Sequence, residues 1–207
     1  LVVAVKLVSI LSGLIRHDLE DLSVAELALL DEESLPVYTI LVPMYQEPGM
    51  VGPMVDSLSQ LDYPQQKLDV QFLLEEDDQQ TQAAVAMLTL PAWISTVIVS
   101  DGIPRTKPRA CNFGLECARG EFLVIFDAED RPDPDQLKKA VATFRRVPGV
   151  TCLQACLNYY NARQNLLTRW FTLEYTVWFD LFLPGLHSLG APIPLGGTSN
   201  HFRTETL

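Results

Sequence analysis

The chain has 207 residues, 48% of them hydrophobic, and a formal net charge of −11. That length and apolar fraction suit one packed domain with an appendage. The acidic balance excludes a nucleic-acid-binding surface, which needs Lys and Arg clustered against phosphate backbones.

Residues 1–15 are strongly apolar and too short to span a bilayer. They fit the tail of a transmembrane helix, an amphipathic helix lying on a membrane, or an ordinary packed helix. Arg16 and His17 follow, on the side that would be cytoplasmic. Residues 18–36 are acidic and read as a linker or lid-like helix that Pro36 ends. The apolar start lacks the basic leader and cleavage site of a signal peptide. Both ends of the chain fall in mid-pattern, so a piece of a larger protein is expected. The four cysteines (Cys111, Cys117, Cys152, Cys156) form no C-x-x-C pair, and the three histidines are not spaced as zinc partners. Reduced thiols in a cytosolic compartment are expected.

From Val37 the pattern alternates between strand and helix. Strands are expected at 37–42, 68–74, 93–100, 121–126 and 150–157. Helices are expected at 50–61, 81–90, 108–118 and 134–144. This rhythm predicts an α/β fold with a mostly parallel central sheet and helices on both faces. Residues 166–183 read as a long amphipathic helix with an aromatic face, ended by Pro184 and Gly185. Core packing is the commoner fate of such a face, although aromatic-rich helices also lie at membrane interfaces. A Gly-rich turn at 195–197 then runs into a polar, strand-like stretch. Residues 1–36 form an N-terminal segment ahead of one domain over 37–207.

The strand at 121–126 ends abruptly in acid, at Asp127, Glu129 and Asp130, with Pro132 just beyond. In open α/β sheets ligands bind outside the carboxyl ends of strands. Hard oxygen ligands gathered there suit Mg²⁺ or Mn²⁺, and such ions suit a phosphate-bearing ligand. Two other strand ends carry polar loops on the same edge: Pro43, Tyr45 and Glu47 on one, and Glu75, Glu76, Asp77 and Asp78 on the other. Lys107 and Arg109 sit at a helix start, where backbone N–H groups also favour phosphate. Taken singly, each cluster is an ordinary solvated loop. Together they describe one crevice with acids for a cation, a lysine for a diphosphate and a tyrosine able to stack on a base.

Five stretches also carry a resemblance. They are Val42-Pro43-Met44-Tyr45-Gln46-Glu47, Leu74-Glu75-Glu76-Asp77-Asp78, Thr106-Lys107-Pro108-Arg109-Ala110-Cys111-Asn112, Phe126-Asp127-Ala128-Glu129-Asp130-Arg131-Pro132, and Gly196-Gly197-Thr198-Ser199-Asn200-His201-Phe202-Arg203. In this order and spacing the chain resembles the membrane-associated branch of the family-2 glycosyltransferases, relatives of bacterial cellulose synthase. The resemblance implies a GT-A fold, a nucleotide-diphosphate sugar donor with uridine as the default base, a divalent metal, and inversion at the anomeric carbon. It places Pro43, Tyr45 and Glu47 beside the nucleoside, Glu76 on the base with Asp78 in the same donor site, and Lys107 on the diphosphate. It places Asp127 and Glu129 in the Asp-x-Asp-like element, with Asp130 as an alternative metal ligand. It also implies a glycan acceptor and attachment, through flanking segments of the parent protein, to the cytoplasmic face of the plasma membrane. The catalytic aspartate of a Thr-Glu-Asp motif and a Gln-x-x-Arg-Trp motif are expected beyond Leu207, which would leave this stretch competent in donor binding but not in transfer. Two other classes stay open. A sugar-nucleotide pyrophosphorylase would want a Gly-rich loop that residues 43–49 do not supply. A degenerate, non-catalytic domain would act as a membrane receptor or scaffold.

Overall fold

The structure is a computed structural model that describes residues 2–15, 26–27 and 29–207. Its centre is a six-stranded sheet in the order β3-β2-β1-β4-β6-β5. The strands are β1 (Tyr38–Met44), β2 (Leu68–Glu75), β3 (Ile94–Val99), β4 (Phe122–Ile125), β5 (Cys152–Gln154) and β6 (Asn200–Arg203). β1 pairs in parallel with both β2 and β4, and β2 pairs in parallel with β3. β6 runs antiparallel to β4, with Val124 opposite His201. The helices between the strands are α2 (Val51–Ser59), α3 (Gln79–Ala86), α4 (Lys107–Cys117) and α5 (Gln136–Arg146). The mostly parallel α/β sheet expected from the alternating pattern is therefore present.

β1 and β2 are buried along almost their whole length because both faces of the sheet are covered. Side chains alternate between the two faces. Ile40, Val42, Val70, Phe72 and Val124 point to the side where α2 and α5 bring Met54, Leu58, Leu137, Val141 and Phe144. Leu41, Leu73 and Leu123 point to the other side, against Ala110 and Cys111 of α4. α4 lies so close that a Cβ on Gly114 would come within 2.8 Å of Leu41 and 2.9 Å of Leu73. α5 buries the stripe Leu137, Ala140, Val141, Phe144, the spacing of one helical face. Phe144 stacks on Phe122 with ring centroids 4.5 Å apart. Arg203 lies over both rings and gives its guanidinium hydrogens to the carbonyls of Val150 and Phe144.

Two departures from the sequence pattern are physical. The strand expected at 150–157 is only Cys152–Gln154 long. The helix expected to stop at Pro184 does not stop there. α6 (Leu166–Thr176) passes through a π-helical stretch, Val177–Phe182, into α7 (Leu183–Ser188), which holds Pro184 in its first turn. Proline is tolerated in a first turn, where its missing N–H has little to lose.

Contacts divide the chain into two compact units: Leu22–Leu153 with Gly197–Leu207, and Leu1–Asp21 with Gln154–Gly196. In the smaller unit α1 (Val2–Ile15) crosses the π-helical stretch and α7 at backbone distance. A Cβ on Gly185 would fall 1.7 Å from the Ser9 carbonyl oxygen, and one on Gly13 would fall 2.1 Å from that of Leu181. Phe179, Phe182, Leu183 and Leu186 form this unit's own core.

Candidate active site

The strand order reverses at β1: β2 and β3 lie to one side and β4 to the other. Outside the carboxyl ends of these strands is a crevice of about 320 Å³. Such a switch point is where open α/β sheets bind ligands. The crevice is lined from four strand ends by Pro43, Tyr45 and Glu47, by Leu73 and Glu75, by Arg105, Thr106 and Lys107, and by Asp127, Ala128 and Glu129.

Each wall is set by local chemistry. After β1 the chain turns through Gln46, whose φ is +57°. A non-glycine residue rarely adopts this left-handed conformation without an outside hold. Here the Asp78 carboxylate takes the Gln46 N–H at 2.5 Å, while the Thr81 hydroxyl accepts the Glu47 N–H at 3.1 Å. The other Asp78 oxygen caps α3 by accepting the Thr81 N–H. Burial opposes the Asp78 charge, but these hydrogen bonds outweigh it and hold the carboxyl below its ordinary range.

Lys107 opens α4, and its ammonium donates to the Asp127 carboxylate and, at 2.6 Å, to the Gly197 carbonyl. The Gly-Gly-Thr stretch is thereby tied to the β4 turn. Thr198 reinforces the tie, since its hydroxyl accepts the Asp127 N–H at 3.1 Å and donates to Asp130. The same Asp130 oxygen accepts the Asp127 N–H at 2.8 Å. Burial keeps the Asp130 carboxyl above its ordinary range despite these bonds, and the charges of Asp127 and Glu129 add to the effect. Glu47 is likewise raised, by burial first and then by the charges of Glu129, Asp127 and Asp78. Glu47 on the loop after β1 thus feels Asp127 and Glu129 across the crevice and Asp78 behind it.

The structure brings Pro43, Tyr45, Glu47, Lys107, Asp127 and Glu129 around one space. It leaves Glu76, Asp78 and Asp130 off the lining. Glu76 turns outward and accepts the Asp101 N–H at 2.9 Å; Glu75, one residue earlier, is the acid that faces the crevice. Glu75 is buried and sits 3.8 Å from the Arg109 guanidinium. Burial raises its carboxyl, with Arg109 and Arg105 pulling the other way. The sequence reading passed over Arg105. Its guanidinium lies over the Tyr45 ring, 5.6 Å from the centroid, and pairs with Asp77 and Asp101, each at 2.6 Å. A second cation two residues before Lys107, in a loop with an acid at its start, was the available signal.

Among the described residues no three His, Cys, Asp or Glu side chains are grouped to enclose a metal ion. Mg²⁺ and Mn²⁺ do not require such a cage, because they commonly take one or two carboxylates and fill the remaining positions with water and substrate phosphates. Asp127 and Glu129, hard oxygen donors on one turn facing the crevice, fit that partial role.

Comparison with known proteins agrees with this geometry. The family model described as "Glycosyltransferase like family 2" matches residues 36–207. The chain belongs to that family. Among curated proteins it is 27% identical over 193 residues to "Probable glucomannan 4-beta-mannosyltransferase 7" of Oryza sativa subsp. japonica, covering 87% of this chain and 33% of that protein. It is 28% identical over 148 residues to "Probable glucomannan 4-beta-mannosyltransferase 15" of Arabidopsis thaliana, covering 68% and 27%. The chain therefore spans about a third of the length of these relatives. Among solved structures, the mannosyltransferase PcManGT from Pyrobaculum calidifontis, in complex with GDP-Man and Mn²⁺, matches with a TM-score of 0.51 and 24% identity, over 76% of this chain and 46% of that one. Glucosyl-3-phosphoglycerate synthase from Mycobacterium tuberculosis, with Mn²⁺, UDP and phosphoglyceric acid, matches with a TM-score of 0.54 and 16% identity, over 90% and 62%. At these identities the two structures speak to the fold, which they share with this chain.

Proposed function

We propose that this chain is the donor-binding portion of an inverting glycosyltransferase that takes a nucleoside diphosphate hexose and passes the sugar to a glycan acceptor. The observation that carries the reading is the convergence of Lys107, Asp127 and Glu129 on one crevice at the switch point of the sheet. The Tyr45 ring offers a face for the nucleobase at the end of the crevice bounded by β1 and β2. The Lys107 ammonium and the N-terminal N–H groups of α4 meet the diphosphate, where a helix start favours negative charge. Asp127 and Glu129 hold a divalent cation, which supplies charge neutralisation for the departing diphosphate. Uridine is the family's default base, whereas the Pyrobaculum enzyme is in complex with GDP-Man, and the curated relatives are called mannosyltransferases. UDP and GDP are therefore the two arms of the test. In a thermal melt, one of them at a hundredfold its Kd stabilises the protein by about 2.7 kcal/mol, and only with Mn²⁺ present. A protein whose melt neither nucleotide moves is the retired, scaffold-type domain instead.

A lipid-facing role is proposed for the smaller unit. α1 turns its small residues, Ser9 and Gly13, toward its neighbours and leaves Val3, Leu7, Leu11, Leu14 and Ile15 exposed. Small residues at the crossing and large apolar ones outward is the pattern of helices packed in lipid. No helix among the described residues is long and apolar enough to cross a membrane, so the expected mode is interfacial. Co-sedimentation of the protein with anionic vesicles, reduced by Leu7→Glu with Leu11→Glu, is the result that supports it.

A further inference from the structure

Asp78 and Thr81 lie off the crevice, yet they hold the turn that presents Tyr45 and Glu47 to it. Asp78 is only 5% exposed and Thr81 is fully buried. Their polar atoms are committed to that task. Asp78 takes the N–H of Gln46 through one oxygen and caps α3 through the other; Thr81 takes the N–H of Glu47. Between the two tethered amides the backbone is left-handed at Gln46, with φ +57°. A non-glycine residue there is strained and persists only when its surroundings over-determine it. The buried carboxylate is the group that over-determines it.

We infer that Asp78 and Thr81 are positioning residues for the donor site, acting through the Tyr45-Gln46-Glu47 turn without touching the ligand. The inference rests on the donor-binding reading above and assigns a role that α3 capping alone does not require. The strained residue itself provides the discriminating test. If Asp78 serves by forcing Gln46 into the left-handed region, a glycine at position 46, which adopts that conformation at no steric cost, makes the carboxylate dispensable for binding. It does not restore the lost helix cap. Positioning and stability are thereby separated.

The experiment compares wild type with Asp78→Ala, Gln46→Gly and the double variant. Affinity for UDP and GDP with Mn²⁺ is read by calorimetry, and exchange of the Gln46 and Glu47 amides by hydrogen–deuterium exchange. Asp78→Ala is expected to weaken nucleotide binding about tenfold or more and to speed exchange at Gln46. Gln46→Gly alone is expected to stay within about threefold of wild type. The double variant is expected to recover most of the affinity while its Tm stays as low as that of Asp78→Ala. A double variant as impaired in binding as Asp78→Ala overturns the inference, because it makes Asp78 either a direct ligand contact or a stability residue. So does an Asp78→Ala protein that binds like wild type. Should Asp78→Ala not fold, Thr81→Val and Thr81→Ser carry the same question. Thr81→Val is expected to free the Glu47 amide and weaken binding severalfold, and Thr81→Ser to restore both. Equal effects of the two substitutions refute the role. If the wild type binds no nucleotide, the donor-site reading falls and this function falls with it, although the exchange pattern still reports the tether.

Discussion

His201 offers a quantitative prediction because burial alone sets its behaviour. The imidazole is 2% exposed on β6. It is hydrogen-bonded at Nδ1 to the Tyr38 hydroxyl at 2.7 Å and at Nε2 to the Gln136 side chain at 3.0 Å. The rings of Tyr38 and Phe126 meet it edge-on, at 5.9 and 6.4 Å. No acid faces it among these neighbours, and desolvation pushes its pKa from 6.5 down to about 3. The unfolded chain, whose histidine titrates normally, therefore takes up the proton first. The stability that neutral His201 contributes is complete above pH 6.5 and declines as the pH falls from there toward 3. The slope is about 1.4 kcal/mol per pH unit. Between pH 7 and pH 5 the loss amounts to about 2 kcal/mol, a large share of the 5–15 kcal/mol typical of a domain. Urea unfolding of wild type and His201→Gln at both pH values isolates this contribution, since glutamine keeps hydrogen-bonding capacity but does not titrate. Wild type should lose about 2 kcal/mol more than the variant on going to pH 5. Parallel losses in the two proteins would refute the reasoning, and with it the claim that His201 is held neutral in a dry site.

Other expectations follow from single contacts. Gly120→Ala places a Cβ 2.4 Å from the Thr39 nitrogen and 2.6 Å from the Phe122 oxygen, both backbone atoms. It should cost at least about 2 kcal/mol in urea unfolding, whereas Gly149→Ala, with nothing within 4 Å, should stay within about 0.5 kcal/mol. Asp69 is buried at the opposite end of the sheet; burial opposes its charge, but hydrogen bonds from Arg119 and Thr39 hold its carboxyl low. Asp69→Ala should destabilise by about 1–3 kcal/mol, a modest figure because Arg119 itself is largely exposed. Lys107→Gln should weaken a nucleoside diphosphate by about tenfold to a hundredfold, the worth of a charge-assisted hydrogen bond, and leave the free nucleoside nearly unaffected in the same calorimeter.

Local chemistry made part of this legible in the sequence. Strands β1, β2 and β4 announce themselves as apolar runs ending in Pro43, Glu75 and Asp127, and the acids at those ends mark the edge that carries the crevice. What was hidden depends on partners distant in the chain. β6 reads as polar because it carries Asn200 and His201, both of them buried; His201 is accommodated by hydrogen bonds, one of them to Tyr38, 163 positions away in the chain. Asp78 looked like a ligand-facing acid, and only the left-handed turn at Gln46 shows what it is turned toward. Pro184 and Gly185 looked like a helix stop. The π-helical stretch before them and the close approach of Ser9 to Gly185 give both residues a place within the helix. Arg105 shows in the sequence only as a cation close to Asp101 and Lys107; its place over Tyr45 and beside Asp77 was hidden, because those two partners come from two other loops.

The measurement that bears most directly on the donor site is calorimetric titration with UDP and with GDP, with and without Mn²⁺, for wild type, Asp127→Ala and Glu129→Ala. The account predicts Mn²⁺-dependent binding of a nucleoside diphosphate by wild type, weakened at least about tenfold in both variants, each of which removes one charged ligand. Binding of neither nucleotide, or binding that ignores both Mn²⁺ and the two substitutions, would contradict it.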